Sequence, residues 1–176
     1  MRIPAGRIVF ELGEPKKLTE HGQRLSARKL YAKGQSFVAA AILLRQRGGV
    51  EDVVLHCLCQ GTEIMLKALL LLLDYKTYKP RMTKYGHDLE QVVAAAVKAF
   101  GVRPLRPAVA QELKVLSAFY RKHLLRYDAL HDLLPAGSLP SDRALLLKVG
   151  AVMRLAHRKL SAGDDPPIEG SAPSSA

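Results

Sequence analysis

Apolar positions in this chain recur in steps of three and four residues, the spacing of one face of an α-helix. From Leu18 onward the repeat covers every long segment, and short stretches containing Gly or Pro separate one repeat from the next. The pattern therefore predicts an all-α fold, an up-and-down bundle of about five helices with no sheet of consequence. The predicted helices cover approximately residues 18–47, 51–74, 87–100, 108–125 and 144–160.

The second predicted helix carries a polar stripe on an otherwise apolar surface. At about 100° per residue its polar side chains fall within a sector roughly 80° wide. They are Asp52, His56, Gln60, Glu63, Lys67 and Asp74. Because an unpaired buried charge is costly, the stripe must be solvated, paired across a partner helix, or part of a site. Glu63 and Lys67 stand one turn apart, as an ion pair requires. The stripe is thus either a hydrogen-bonded seam between helices or the lining of a ligand cleft.

Basic residues outnumber acidic ones, and the excess is unevenly distributed. The formal net charge is +11. Residues 1–35 hold 8 basic and 3 acidic side chains, a net +5, and residues 101–160 hold 11 and 4, a net +7. This distribution favours an anionic partner, or else reflects a soluble basic surface. The run Arg121-Lys122-His123 is either a phosphate contact or a solvated face.

The length of 176 residues suits one domain with a substantial core. Residues 1–17 are predicted to form an irregular extension, in which Ile8, Val9 and Phe10 make a short strand or an anchor. The helical domain is predicted to cover residues 18–160. Residues 161–176, rich in Ser, Pro and Gly, have the composition of a disordered tail.

Cysteine usage and hydropathy bear on the compartment. Cys57 and Cys59, the only cysteines, would point about 200° apart on a helix and cannot form a disulfide with each other. Buried, reduced thiols fit a cytoplasmic protein. Residues 53–73 are long enough to cross a bilayer, but the polar stripe argues against a membrane span, and residues 1–17 lack a signal-peptide core. No zinc-type spacing occurs, so we expect no metal site and no cofactor.

Three motifs occur in a fixed order: QGTEIMLKALLLLL on the second helix, then YGHDL, then RYD after a further helix. Together they resemble the HEPN family, the higher-eukaryote and prokaryote nucleotide-binding domain, over about residues 20–160. The family's motif positions fall here on Gln60, Glu63, Lys67, Ala68, Leu70, Gly86, His87, Asp88, Leu89 and Arg126. The resemblance implies a homodimer that binds RNA or a nucleotide, with a nucleotidyltransferase or an antitoxin as a possible partner.

Many proteins of that family cleave RNA without a metal, using an Arg and a His four to six residues apart. Arg126 and His131, with four residues between them, match that spacing. The resemblance implies that Arg126 binds the scissile phosphate and His131 transfers protons. Tyr127, however, stands where the active nucleases carry a small polar residue. An Arg-Tyr pair at this point resembles branches of the family in which it has no known nuclease role. On an unbroken helix the Arg and His side chains would also point about 140° apart.

The primary hypothesis is a HEPN-type module that binds RNA, a nucleotide or a partner protein without chemistry of its own. The predicted binding residues are Gln60, Glu63, Lys67, Arg121, Lys122 and Tyr127. The alternative is a metal-independent endoribonuclease of the toxin or defence type, with Arg126 and His131 as catalytic residues. His87 or Asp88 is predicted to cap the following helix rather than to take part in chemistry.

Overall fold

The computed structural model describes residues 18–127 and 140–161. Within these two stretches the chain is helical and contains no strand, which confirms the all-α class. The elements are α1 (Glu20–Gln46), α2 (Glu51–Leu73), α3 (Tyr75–Tyr85), α4 (Leu89–Phe100), α5 (Pro107–Arg121), α6 (Leu124–Tyr127), a π-helical segment (Leu145–Val149) and α7 (Gly150–Ser161). The predicted extension 1–17, the predicted tail after Ser161 and most of the predicted loop 131–140 lie outside the described residues.

Helix α2 is the centre of the domain. It packs against α1, α3, α4, α6 and α7, and its apolar faces supply most of the core. The largest fully buried side chains are Tyr120, Phe100, Leu55, Leu66, Leu70, Leu89, Leu113, Leu116, Val54 and Val92. A helix surrounded on most sides is apolar all round. Its remaining polar side chains must therefore find partners on the helices that cover it.

The helix count differs from the expected five, and α3 is the first reason. The segment between the predicted helices 51–74 and 87–100 is helical, although it contains Pro80 and proline removes one backbone donor. Asp74 caps it by accepting a hydrogen bond from the backbone N–H of Thr77 at 2.9 Å. Three of its side chains, at steps of four and three, pack against the core: Tyr78, Met82 and Tyr85. The cap and this packing outweigh the proline.

The second reason is a break in the predicted helix 108–125. Helix α5 ends at Arg121, and His123 has a positive φ of 59°, a left-handed conformation that is uncommon outside glycine. The chain then resumes as the single turn α6, which packs against α2. The change of direction buries Leu125 in the core and brings Arg126 to the polar stripe of α2.

Helices α1 and α2 cross at a pair of glycines. A Cβ added to Gly34 would stand 2.8 Å from the carbonyl oxygen of Gly61, and one added to Gly61 would stand 2.7 Å from that of Gly34. Both distances are shorter than real Cβ contacts, so only glycine permits this approach. Gly34 of α1 and Gly61 of α2 therefore set the distance between the two helices at this point.

One described helix, Glu51–Leu73, is long and apolar enough to cross a membrane by length and composition. About 67% of its most apolar window is buried inside the domain, and the core helix of a soluble protein passes the same test.

Candidate functional site

The polar stripe of α2 meets the start of α4, the end of α5 and α6 in a connected cluster. At its base lies Glu63, which is only 3% exposed. Its carboxylate accepts hydrogen bonds from Lys67 Nζ at 2.6 Å and from the Tyr120 hydroxyl at 2.6 Å, and it contacts His87 Nδ1 at 3.1 Å. Three partners of this kind satisfy the hydrogen-bonding capacity of a buried carboxylate. The expected Glu63–Lys67 ion pair is therefore present, inside a larger network.

Tyr120 connects the base of the cluster to its outer part. Its hydroxyl oxygen also lies 2.9 Å from Oε1 of Gln60. A phenol has one proton, and the shorter contact to a carboxylate receives it. Burial first, and then the neighbouring Glu63 carboxylate, raise the pKa of Tyr120 well above its ordinary value. Tyr120 therefore stays protonated and acts as a donor that fixes Glu63.

Arg126 lies at the outer edge of the cluster and is exposed to solvent. Its Nε donates to Nε2 of His56 at 3.1 Å, and its Nη2 lies 3.4 Å from Oε1 of Gln60. Burial, followed by the positive charge of Arg126, lowers the pKa of His56 below its ordinary value of 6.5. The hydrogen bond from Arg126 also requires a neutral His56 imidazole, because a guanidinium can only donate and Nε2 must therefore accept.

Three imidazole rings surround Tyr120 and the turn between α5 and α6. The ring centroids of His56 and His87 lie 5.6 and 5.7 Å from that of Tyr120, and His87 lies 5.8 Å from His123. His123 is the residue with positive φ. A strained backbone at such a point is typical of a functional site. The break in the helix thus brings His123 beside His87, and Arg126 beside His56.

Asp88 ties the neighbouring end of α4 to α5. It caps α4 by accepting from the backbone N–H of Gln91 at 3.1 Å, which confirms the predicted cap, although the helix begins at Leu89 rather than His87. It also accepts from the Ser117 hydroxyl at 3.3 Å and from Arg121 Nη1 at 3.1 Å. Arg121 is therefore held beside the cluster, with more than half of its side chain exposed.

The predicted site residues have different outcomes. Gln60, Glu63, Lys67 and Arg126 belong to one network, and Arg121 joins it through Asp88. Lys122 is exposed at the turn after α5, and its side chain forms no hydrogen bond or ion pair with residues 18–127 or 140–161. The side chain of Tyr127, and all of His131, lie outside the described residues, so the pairing of Arg126 with His131 stays a prediction.

Sequence reasoning missed Tyr120 and His123 as members of the cluster. Tyr120 lies on the apolar inner face of its helix, and only the contact with α2 reveals the role of its hydroxyl. The signal for His123 was present in the basic run 121–123, but the helix break carries no Gly or Pro. His56 stands in the polar stripe and His87 in the YGHDL motif, but neither is among the predicted binding residues.

The arrangement suits the binding of an anion. The buried negative charge of Glu63 is satisfied by donors from inside, while Arg126, Arg121 and Lys122 are exposed. A surface field of this sign attracts phosphate or carboxylate groups. Within the described stretches no group of three His, Cys, Asp or Glu side chains could hold a metal ion. Cys59 is buried, which raises the pKa of its thiol and disfavours the reactive thiolate.

No family model, curated protein sequence or solved structure matches this chain. Its activity must therefore be inferred from the chemistry of the cluster around Glu63 and Arg126.

Proposed function

We propose that this chain is a HEPN-type homodimeric module that binds phosphate groups of RNA or of a nucleotide at the exposed edge of the cluster. The observation that carries the proposal is the position of Arg126, an exposed guanidinium held by His56 and Gln60 above a neutralised Glu63. A guanidinium fixed in this way keeps outward-facing donors for a phosphate.

The connectivity of the motif residues supports the HEPN assignment. Gln60, Glu63 and Lys67 of the first motif contact residues of the second and third, since Lys67 Nζ lies 2.5 Å from the Gly86 carbonyl oxygen, His87 contacts Glu63, and Arg126 contacts Gln60. Motifs 20 to 60 residues apart in the chain thus form a single polar network. A partner protein, such as a nucleotidyltransferase or an antitoxin, is the remaining candidate if the cluster does not bind nucleic acid.

Homodimerisation has support from an exposed apolar corner, defined here as Ile42, Leu43, Val50, Val53, Leu146 and Leu147. Arg45 links its parts, because it forms ion pairs with Glu51 and with Asp142. Neighbouring apolar side chains left in water in this way commonly mark an interface.

RNA binding is tested by fluorescence polarisation of a labelled single-stranded RNA over a range of NaCl concentrations. The wild-type chain should bind, with affinity falling steeply as salt rises. Arg126→Gln should weaken binding about tenfold, the value of one charge-assisted contact, and reduce the salt slope by about one. Lys76→Gln is the matched control, since it removes one exposed positive charge in the first turn of α3, beyond the far end of α2 from His56. Equal losses in both variants, or no binding at low salt, would contradict the proposal.

The endoribonuclease alternative is favoured by one specific contact. Because a carboxylate only accepts, His87 donates its Nδ1–H to Glu63, which leaves Nε2 of this exposed ring able to take a proton. Incubation of RNA with the protein in EDTA tests this function, with wild type beside His131→Ala and His87→Ala. Cleavage that either variant abolishes would support the enzyme, and no cleavage in any sample would leave the binding function alone.

A further inference from the structure

A groove between α4 and α5, away from the polar cluster, is unused by the proposed function. Its volume is about 520 Å³, and its walls are mainly aliphatic, with Val97 and Leu113 on the two helices and Val102 and Leu105 on the connection between them. An open apolar surface of this size on a small domain normally has an occupant.

The charges of the groove stand at its two ends. Among its lining residues only Glu90 and Lys98 are charged, and neither forms an ion pair with another described residue. Both lie on α4, eight residues apart, which corresponds to about 12 Å along a helix. Arg103 and Arg106, both exposed, follow on the connection that lies at the Lys98 end. An occupant therefore needs an apolar centre, a cation at the Glu90 end and an anion at the Lys98 end.

We propose that residues 7–11 of the same chain, Arg-Ile-Val-Phe-Glu, occupy this groove. The segment has three large apolar side chains between one cation, Arg7, and one anion, Glu11. In an extended conformation these two residues are about 13 Å apart, which matches the separation of Glu90 and Lys98. Arg7 would then pair with Glu90, and Glu11 with Lys98, with the segment running parallel to α4.

The length of the connection to α1 limits how far from Leu18 the segment can lie. Seven steps of chain separate Glu11 from Leu18 and span up to about 24 Å when extended. Neighbouring helices in a bundle lie about 8–10 Å apart, so this length crosses two of them. The opposite direction would place Arg7 beside Lys98 and the arginines of the connection, and like-charge repulsion disfavours it.

The chain contains no tryptophan, so Phe10→Trp in the full-length protein introduces a single reporter. We expect its emission to be blue-shifted relative to the unfolded chain and severalfold less quenched by acrylamide than a free indole. Adding Ala94→Arg, which places a long side chain in the groove, should abolish both effects. Ala39→Arg, at an exposed alanine of α1, is the matched control and should change neither.

Exchanging the charges of Arg7 and Glu90 tests the direction in which residues 7–11 run along α4. This test does not require a bulky side chain in the groove. In the Phe10→Trp protein, Glu90→Arg should shift the emission towards the solvent value, and Arg7→Glu added to it should restore the blue shift. Circular dichroism confirms that each variant is folded. Solvent-like emission in the parent, or a blue shift that survives both Ala94→Arg and Glu90→Arg, would overturn the proposal. A shift that depends on protein concentration would assign the groove to a second copy instead.

Discussion

Among single residues, Glu63 has the strongest effect on its surroundings. Its carboxylate is almost completely buried, yet three side chains from α2, α5 and the segment before α4 contact it. A buried charge that loses one donor costs more free energy than the donor's own hydrogen bond contributes. The stability of the domain should therefore depend strongly on the neighbours of Glu63.

Tyr120→Phe removes one hydroxyl, and with it the donor to Glu63 and the contact with Gln60. We expect it to lower the free energy of unfolding by about 1–3 kcal/mol, because the Glu63 carboxylate then loses its 2.6 Å contact with the hydroxyl. Urea denaturation followed by circular dichroism measures the change. Tyr85→Phe, at a partly buried tyrosine of α3, is the control and should stay within about 0.5 kcal/mol of wild type. Equal effects of the two substitutions would refute this role of the hydroxyl.

His56 should make the free energy of unfolding decrease as the pH falls below 6.5. Its pKa in the folded protein is below 6.5, so the unfolded chain binds more protons just below that pH. While His56 is neutral in both states, above pH 6.5, it costs the folded protein no stability. As the pH falls from 6.5 towards the folded-state pKa, the unfolded chain takes up the proton first and the domain becomes less stable. The proton NMR titration of this imidazole should have its midpoint below 6.5 and move upward in Arg126→Gln. A wild-type midpoint at or above 6.5 would contradict the assigned cause.

Some of these residue-scale features were predictable and others were not. One-turn spacing was enough to predict the Glu63–Lys67 ion pair, since both partners lie on one helix. The contacts of Tyr120 and Arg126 with α2 join residues 57 and 66 positions apart. They depend on how the helices rotate against each other, which local periodicity does not determine.

Among the elements, the crossing of α1 and α2 is the most sensitive to substitution. Gly61→Ala would force a methyl group to 2.7 Å from the Gly34 carbonyl oxygen, so the helices must separate. We expect a loss of about 1–3 kcal/mol in the free energy of unfolding, the usual cost of overpacking.

Gly150→Ala is the matched control for that prediction. Its Cβ would meet nothing nearer than 3.6 Å, and its φ of −56° is helical. It should stabilise the domain by about 0.4–1 kcal/mol, because alanine reduces the freedom of the unfolded chain. Thermal unfolding measures the stability of both variants against wild type. A Gly61→Ala variant more stable than wild type would refute the close crossing.

Helix ends were predicted where side chains or glycines mark them. Gly48-Gly49 follows the end of α1, and Asp88 precedes α4 as its cap. The two elements that were missed have weak local signals. Helix α3 contains Pro80, and the break after α5 falls at Lys122 and His123, which are not typical helix-ending residues. At both places the gain from packing against α2 and the core outweighs local preference.

For the whole molecule, the apolar corner is expected to be the dimer interface. Leu43→Asp places a charge within it and should weaken dimerisation at least tenfold, which is about 1.4 kcal/mol. Leu25→Asp changes an equally exposed leucine near the other end of α1 and should leave the dimer intact. Sedimentation equilibrium at micromolar concentration separates the outcomes. A monomeric wild type would remove the homodimer from the proposed function.

The network around Glu63 has a consequence for how the chain folds. Its members come from α2, the segment before α4, and α5, so no contiguous half of the domain can complete it. A folding intermediate containing only α1 and α2 would leave Glu63 without His87 and Tyr120, and would leave the apolar faces of α2 in water. Such an intermediate is unfavourable, which makes folding of the described helices a single cooperative step.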